Sequence, residues 1–133
     1  MYLLDTNIVS ELRRPRPHQA VLNWIADVPA DELFLSAVTI GEIQAGIEWT
    51  REQDEAKAFE LEAWLDQVAG AYGIIPMDAA AFRRWAQFKH RKSDTLLEDA
   101  MIAATALVHD LTLVPRNIRD FDALGVDVID PFS

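Results

Sequence analysis

Four separated stretches of this sequence carry oxygen-bearing side chains that together suit phosphate chemistry. Asp5 closes the apolar run Tyr2-Leu3-Leu4 and precedes Thr6-Asn7; Glu42 ends Ser36-Ala37-Val38-Thr39-Ile40-Gly41-Glu42. Asp99 follows Glu98 in Thr95-Leu96-Leu97-Glu98-Asp99-Ala100, and Asn117 and Asp120 lie in Val114-Pro115-Arg116-Asn117-Ile118-Arg119-Asp120. Taken singly, each has an ordinary structural job. Asp5 suits a helix cap, as do Thr6 and Asn7. Thr39 with Glu42, and Thr95 with Glu98, match capping boxes. Asn117 and Asp120 are common turn residues. Asp99 is the hardest to explain locally: it shares a helical face with Ala103 and Ala106, where an uncompensated carboxylate is costly.

Gathered in one place, these groups make a hard-oxygen environment of the kind that holds Mg²⁺ or Mn²⁺ with one or two direct carboxylates and water. A divalent ion relieves the repulsion among the acids, acts as an electrophile toward phosphate and lowers the pKa of bound water. The chemistry expected is metal-assisted phosphodiester hydrolysis.

Positioning them requires a scaffold. Short β-prone runs at 2–4, 33–36, 74–77, 111–114 and 126–129 alternate with helical patterns at 7–13, 18–27, 39–49, 53–69, 79–91 and 96–109. This alternation predicts an α/β domain with a parallel sheet of four to five strands covered on both faces. The stretches at 39–49 and 53–69, with no strand between them, should form a helical hairpin inside one crossover. Ligands collect beyond the carboxyl ends of parallel strands, which is where the acids fall.

The chain has 133 residues, half of them apolar, enough for one domain spanning 1–133. It has no cysteine, which excludes a disulfide framework, a thiolate metal site and a cysteine nucleophile, and suits a reducing cytoplasm. The first residues do not read as a secretory signal, because Asp5, Glu11, Arg13 and Arg14 interrupt them. The apolar run from Ala100 to Val108 is too short to cross a membrane. Net charge is −10, with 22 acids against 12 bases, which opposes general coating of nucleic acid and suits a basic protein partner. The three histidines, at 18, 90 and 109, are scattered, and no phosphate-binding glycine loop occurs. A phosphatase using Asp5 as nucleophile is an alternative, although Asn7 stands where a second acid is expected.

The ordered set YLLDTNIVSEL, LSAVTIGEIQAGI, LLEDAMIAATALVHDLTLVPRN and RDF resembles the PIN domain, and specifically the ribonuclease toxins of VapBC-type (FitB-like) toxin–antitoxin modules. The resemblance implies a three-layer α/β/α fold and Mg²⁺- or Mn²⁺-dependent endonucleolytic cleavage of RNA. It implies Asp5 and Asp99 as leading metal ligands, Glu42 as the third acid and Asn117 at the fourth family position, with Asp120 assisting. Asn117 carries no charge, and Pro115 replaces a usual threonine whose supporting work would pass to Thr6. These departures leave open a catalytically weak binding module. The resemblance also implies a homodimer, and an antitoxin whose basic side chain enters the acidic pocket. Candidate RNA contacts are Arg13, Arg116 and Arg119, with Arg14, Arg16, Arg83, Arg84, Lys89, Arg91 and Lys92 as further cations.

Overall fold

The structure, a computed structural model, describes residues 1–91, 97–121 and 124–132. Four short strands form its sheet: Tyr2–Leu4 (β1), Leu33–Ser36 (β2), Gly73–Ile75 (β3) and Thr112–Val114 (β4). All pairings are parallel, in the order β3-β2-β1-β4. Strand β1 therefore lies inside the sheet, with Leu4 opposite Leu35 on one side and Val114 on the other.

The helices are Thr6–Leu12 (α1), Gln19–Asp27 (α2), Ala37–Arg51 (α3), Glu55–Ala71 (α4), Ala79–Arg91 (α5) and Leu97–Val108 (α6). They cover two faces because strand side chains alternate. Leu3 and Leu113 point one way, into a core shared with Ile102, Ala103 and Ala106 of α6 and with Phe88 of α5. Leu4, Leu35 and Val114 point the other way, against Ile8 and Val9 of α1, Val21 of α2 and Val68 of α4. The result is the expected three-layer α/β/α architecture. The expected helical hairpin is also present, α3 and α4 meeting through Ile47, Ala58 and Leu65.

Several boundaries differ from expectation, each for a local reason. The third strand ends at Ile75 rather than 77, because Pro76 has no N–H to extend the ladder. It starts at Gly73, opposite Phe34, where a Cβ would lie 2.6 Å from the phenyl ring. Only glycine leaves room for that ring. The fourth strand starts at Thr112, because Leu111 still belongs to the end of α6. Its N–H reaches the Ala106 carbonyl at 2.8 Å, while Asp110 adopts φ 55. That is a Schellman-type stop, with aspartate in the left-handed place usually given to glycine. The expected fifth strand at 126–129 is reduced to a single parallel bridge between Leu113 and Val128.

At the helix starts, Asp5 and His18 stand outside as caps, their side chains accepting from Thr6 N–H and Ala20 N–H. The third helix begins two residues earlier than expected, and its cap is Ser36, not Thr39. The Ser36 hydroxyl accepts from Val38 N–H at 3.0 Å. Thr95 of the second expected capping box, position 96 at the expected start of the last helix, Lys92 and the Arg91 side chain lie outside the described residues. Among the described residues no helix is long and apolar enough to cross a membrane.

Candidate active site

Asp5 reaches its place because β1 is locked between two parallel neighbours. Its own N–H continues the ladder to the Val114 carbonyl at 3.0 Å. The side chain then turns into the protein, where it is only 3% exposed. One carboxylate oxygen accepts from Thr6 N–H at 2.8 Å, and the backbone N–H of Arg116 also donates to the group. These donors do not offset the surroundings. Burial first, then the charge of Asp99 and more weakly that of Glu42, push the Asp5 carboxyl up to about 7.

Glu42 arrives from the second turn of α3. Its Oε1 accepts from the Thr6 hydroxyl at 2.7 Å, and Thr6 Oγ1 lies 2.9 Å from Thr39 Oγ1. Because the Thr6 proton is directed at Glu42, Thr39 must supply the proton between the two threonines. The capping box expected of Thr39 and Glu42 is thus replaced by a relay running from Thr39 through Thr6 to Glu42. Thr39 is fully buried and holds its neighbour from within the helix. Burial raises the Glu42 carboxyl, the Thr6 hydroxyl opposes that, and Glu98 adds to it.

Asp99 lies in the first turn of α6, partly buried. Its carboxyl is raised to about 6, by burial first and then by Asp120, Glu42 and Glu98. Asp5 thus feels the charges of Asp99 and Glu42, and Asp99 those of Asp120 and Glu42, although these residues come from four distant parts of the chain. Among the described residues, none of Asp5, Glu42 and Asp99 forms an ion pair with a basic side chain.

Asn117 is used locally. It caps a short 3₁₀ turn over Ile118–Asp120, its side-chain oxygen accepting from Arg119 N–H at 3.1 Å. The side chains of Arg116 and Arg119 stand exposed on the same loop. Arg13, also exposed, lies over the Trp64 ring, 6.0 Å from its centroid.

The donor set fits a hard divalent cation. Among the described residues no three acidic or histidine side chains close on one point as a ready cage. Mg²⁺, however, ordinarily takes one or two carboxylates and keeps several waters. Asp5 and Asp99 are the two that would offer such a pair, and a cation there would offset the neighbouring negative charge that helps raise each carboxyl. Sequence reasoning missed Thr39 as the support of Thr6. The visible signal was the second cap candidate, Ser36, which frees Thr39 for other work.

The sequence matches the PIN domain family over residues 2–126. This chain is a PIN domain. The PIN domain is 34% identical over 140 residues to VapC ribonuclease Y4jK of Sinorhizobium fredii, covering 100% of this chain and 99% of the relative. It superposes on the crystal structure of FitAcB from Neisseria gonorrhoeae with a TM-score of 0.88 at 31% identity, covering 99% of each chain. A toxin–antitoxin complex from Klebsiella pneumoniae aligns with a TM-score of 0.77 at 26% identity, covering 100% of this PIN domain and 99% of that chain.

Proposed function

We propose that this PIN domain is the toxin of a VapBC-type toxin–antitoxin pair and acts as a Mg²⁺- or Mn²⁺-dependent endoribonuclease. One observation carries the reading. Three carboxylates, Asp5, Glu42 and Asp99, are held together with raised affinity for protons and, among the described residues, no ion pair to compensate them. Such crowding is costly to folding and useful for binding a divalent cation. The similarity to a VapC ribonuclease and to a toxin–antitoxin complex supports RNA as substrate and an antitoxin as partner.

Asp5 and Asp99 would hold the ion, which when bound supplies a Lewis acid toward phosphate and a more acidic water. Asn117 adds no charge and its oxygen is already engaged, which favours one strongly held ion over two. Asp120 remains at the rim as an additional acid. Glu42 is fixed through Oε1 by Thr6, leaving Oε2 to take one proton of the attacking water as its oxygen bonds to phosphorus, while the bond to the ribose oxygen breaks and that oxygen takes a proton from solvent. Arg116 and Arg119, with Arg13 farther along, give the strand's phosphates a local positive rim on an acidic molecule. An antitoxin would silence the site by placing a basic side chain among the same acids. The absence of cysteine is compatible with action in the cytoplasm.

The test is cleavage of a structured RNA by the purified chain with Mg²⁺, with Mn²⁺ and with chelator, beside Asp5→Asn and Asp99→Asn. Cleavage is expected only with metal and is lost in either variant. Cutting that survives chelation, or survives both substitutions, overturns the mechanism.

A further inference from the structure

Next to the acids is a cavity of about 300 Å³ between α1, α3 and α4. Thr6 and Glu42 form one end of it, and Arg13, Gly46, Ile47 and Trp64 are among its walls. It is thus continuous with the candidate site through the two residues joined by the 2.7 Å hydrogen bond. Its size is at the low end for small-molecule sites, suited to one flat group rather than a long ligand.

Its chemistry is mixed in a particular way. Trp64 is only partly buried and offers an aromatic surface, with the exposed Arg13 guanidinium lying over the ring at 6.0 Å. Aromatic rings and guanidinium planes are the surfaces on which unpaired nucleobases stack, and arginine also donates to base acceptors. Gly46 is the place at which the cavity can be filled by substitution. It stands inside α3, where glycine weakens a helix relative to alanine, yet a Cβ built there meets nothing within 4 Å. Gly46 lines the cavity, so a larger side chain there would extend into open space.

We infer that this cavity receives one unpaired nucleobase of the RNA, adjacent to the bond that is cut, and so sets a base preference for cleavage. This rests on the ribonuclease reading and adds a specificity subsite to it. A base seated in the cavity beside Trp64 and Arg13 fixes the neighbouring phosphate close to Glu42.

The experiment separates the subsite from the nuclease. Titrate isotope-labelled protein, without metal, with each of the four ribonucleosides, which carry no charge for the acids to repel. Follow the indole N–H resonance of Trp64, assigned with Trp64→Phe. At least one nucleoside is expected to move that resonance saturably. Gly46→Leu, which fills the cavity, should weaken the response at least tenfold, as should Arg13→Gln. Gly70→Leu, the same exchange on α4 at a glycine that does not line the cavity, should leave it unchanged. With Mg²⁺ present, sequencing of fragment ends should show the same base enriched beside the cut, with the enrichment lost in Gly46→Leu. No movement of the Trp64 resonance, or a response that survives in folded Gly46→Leu, overturns the subsite and assigns the cavity to a protein side chain. A chain that binds a nucleoside here but cuts no RNA leaves the subsite standing and overturns the nuclease reading instead.

Discussion

At the scale of single residues, the buried acids make stability depend on pH in a definite direction. The Asp5 carboxyl titrates at about 7 in the folded protein against an ordinary 3.8, so the folded state holds its proton more tightly. Between those values the folded state binds more protons than the unfolded one, and stability falls as pH rises. The full displacement corresponds to something on the order of 4 kcal/mol for this almost fully buried group. Thermal unfolding in chelator should therefore show a lower Tm at pH 8 than at pH 5, with Asp5→Asn removing most of the difference. Parallel profiles for wild type and variant would contradict the crowding. Mg²⁺ should raise Tm at pH 8 and do little at pH 5, since the carboxylates must be deprotonated to bind it. Thr6 is the second sensitive residue. Thr6→Val leaves Glu42 without its donor and Thr39 without its acceptor, at a cost of about 1–3 kcal/mol in urea unfolding, together with slower cleavage. Thr6→Ser keeps the hydroxyl and should recover most of both.

At the scale of elements, two substitutions test how the helices and strands are set. Ser36→Ala removes the cap of α3 and should cost about 1 kcal/mol, because Ser36 and not Thr39 satisfies the first free N–H. Gly73→Ala drives a methyl into the Phe34 ring and should cost about 1–3 kcal/mol, measurable as a lower denaturation midpoint. The strands and helices themselves were legible in the sequence. Apolar runs such as Leu33-Phe34-Leu35 have few alternatives; in α4 the helical spacing of Phe59, Trp64, Leu65 and Val68 suggests one apolar face, but Phe59 is 71% exposed while Leu65 and Val68 are buried. Ends were harder to place. Ser36 and Thr39 are equally good caps on paper, and only the approach of Thr6 from α1 explains why Thr39 lies inside the helix. The run at 126–129 has strand-like residues, yet it touches β4 through one bridge. Asp5, Glu42 and Asp99 could be picked out as acids, but their shared electrostatics arise from distant segments and could not be read from spacing. The cavity beside them was hidden for the same reason: Trp64 reads as core until Arg13 and Gly46 are brought alongside.

At the scale of the whole molecule, a net charge of −10 means that the general field opposes RNA and favours a basic partner. Substrate must be held by local cations, and the loop after β4 supplies two of them, Arg116 and Arg119. Replacing both with glutamine should raise KM roughly tenfold and flatten the logarithmic salt dependence by between one and two, with Tm unchanged. A larger loss in Tm than in substrate binding would mean that they serve the fold. The sheet order has a consequence in time as well as in space. Strand β1 precedes the other three strands in the chain but lies inside the sheet, and its neighbour β4 follows all of them. Until β4 and the loop after it have been made, Asp5 has neither the Val114 carbonyl that fixes its backbone nor the Arg116 N–H. For the ribonuclease proposed above, a nascent chain that stops short of β4 would hold Asp5 without its neighbouring strand and is expected to leave RNA intact.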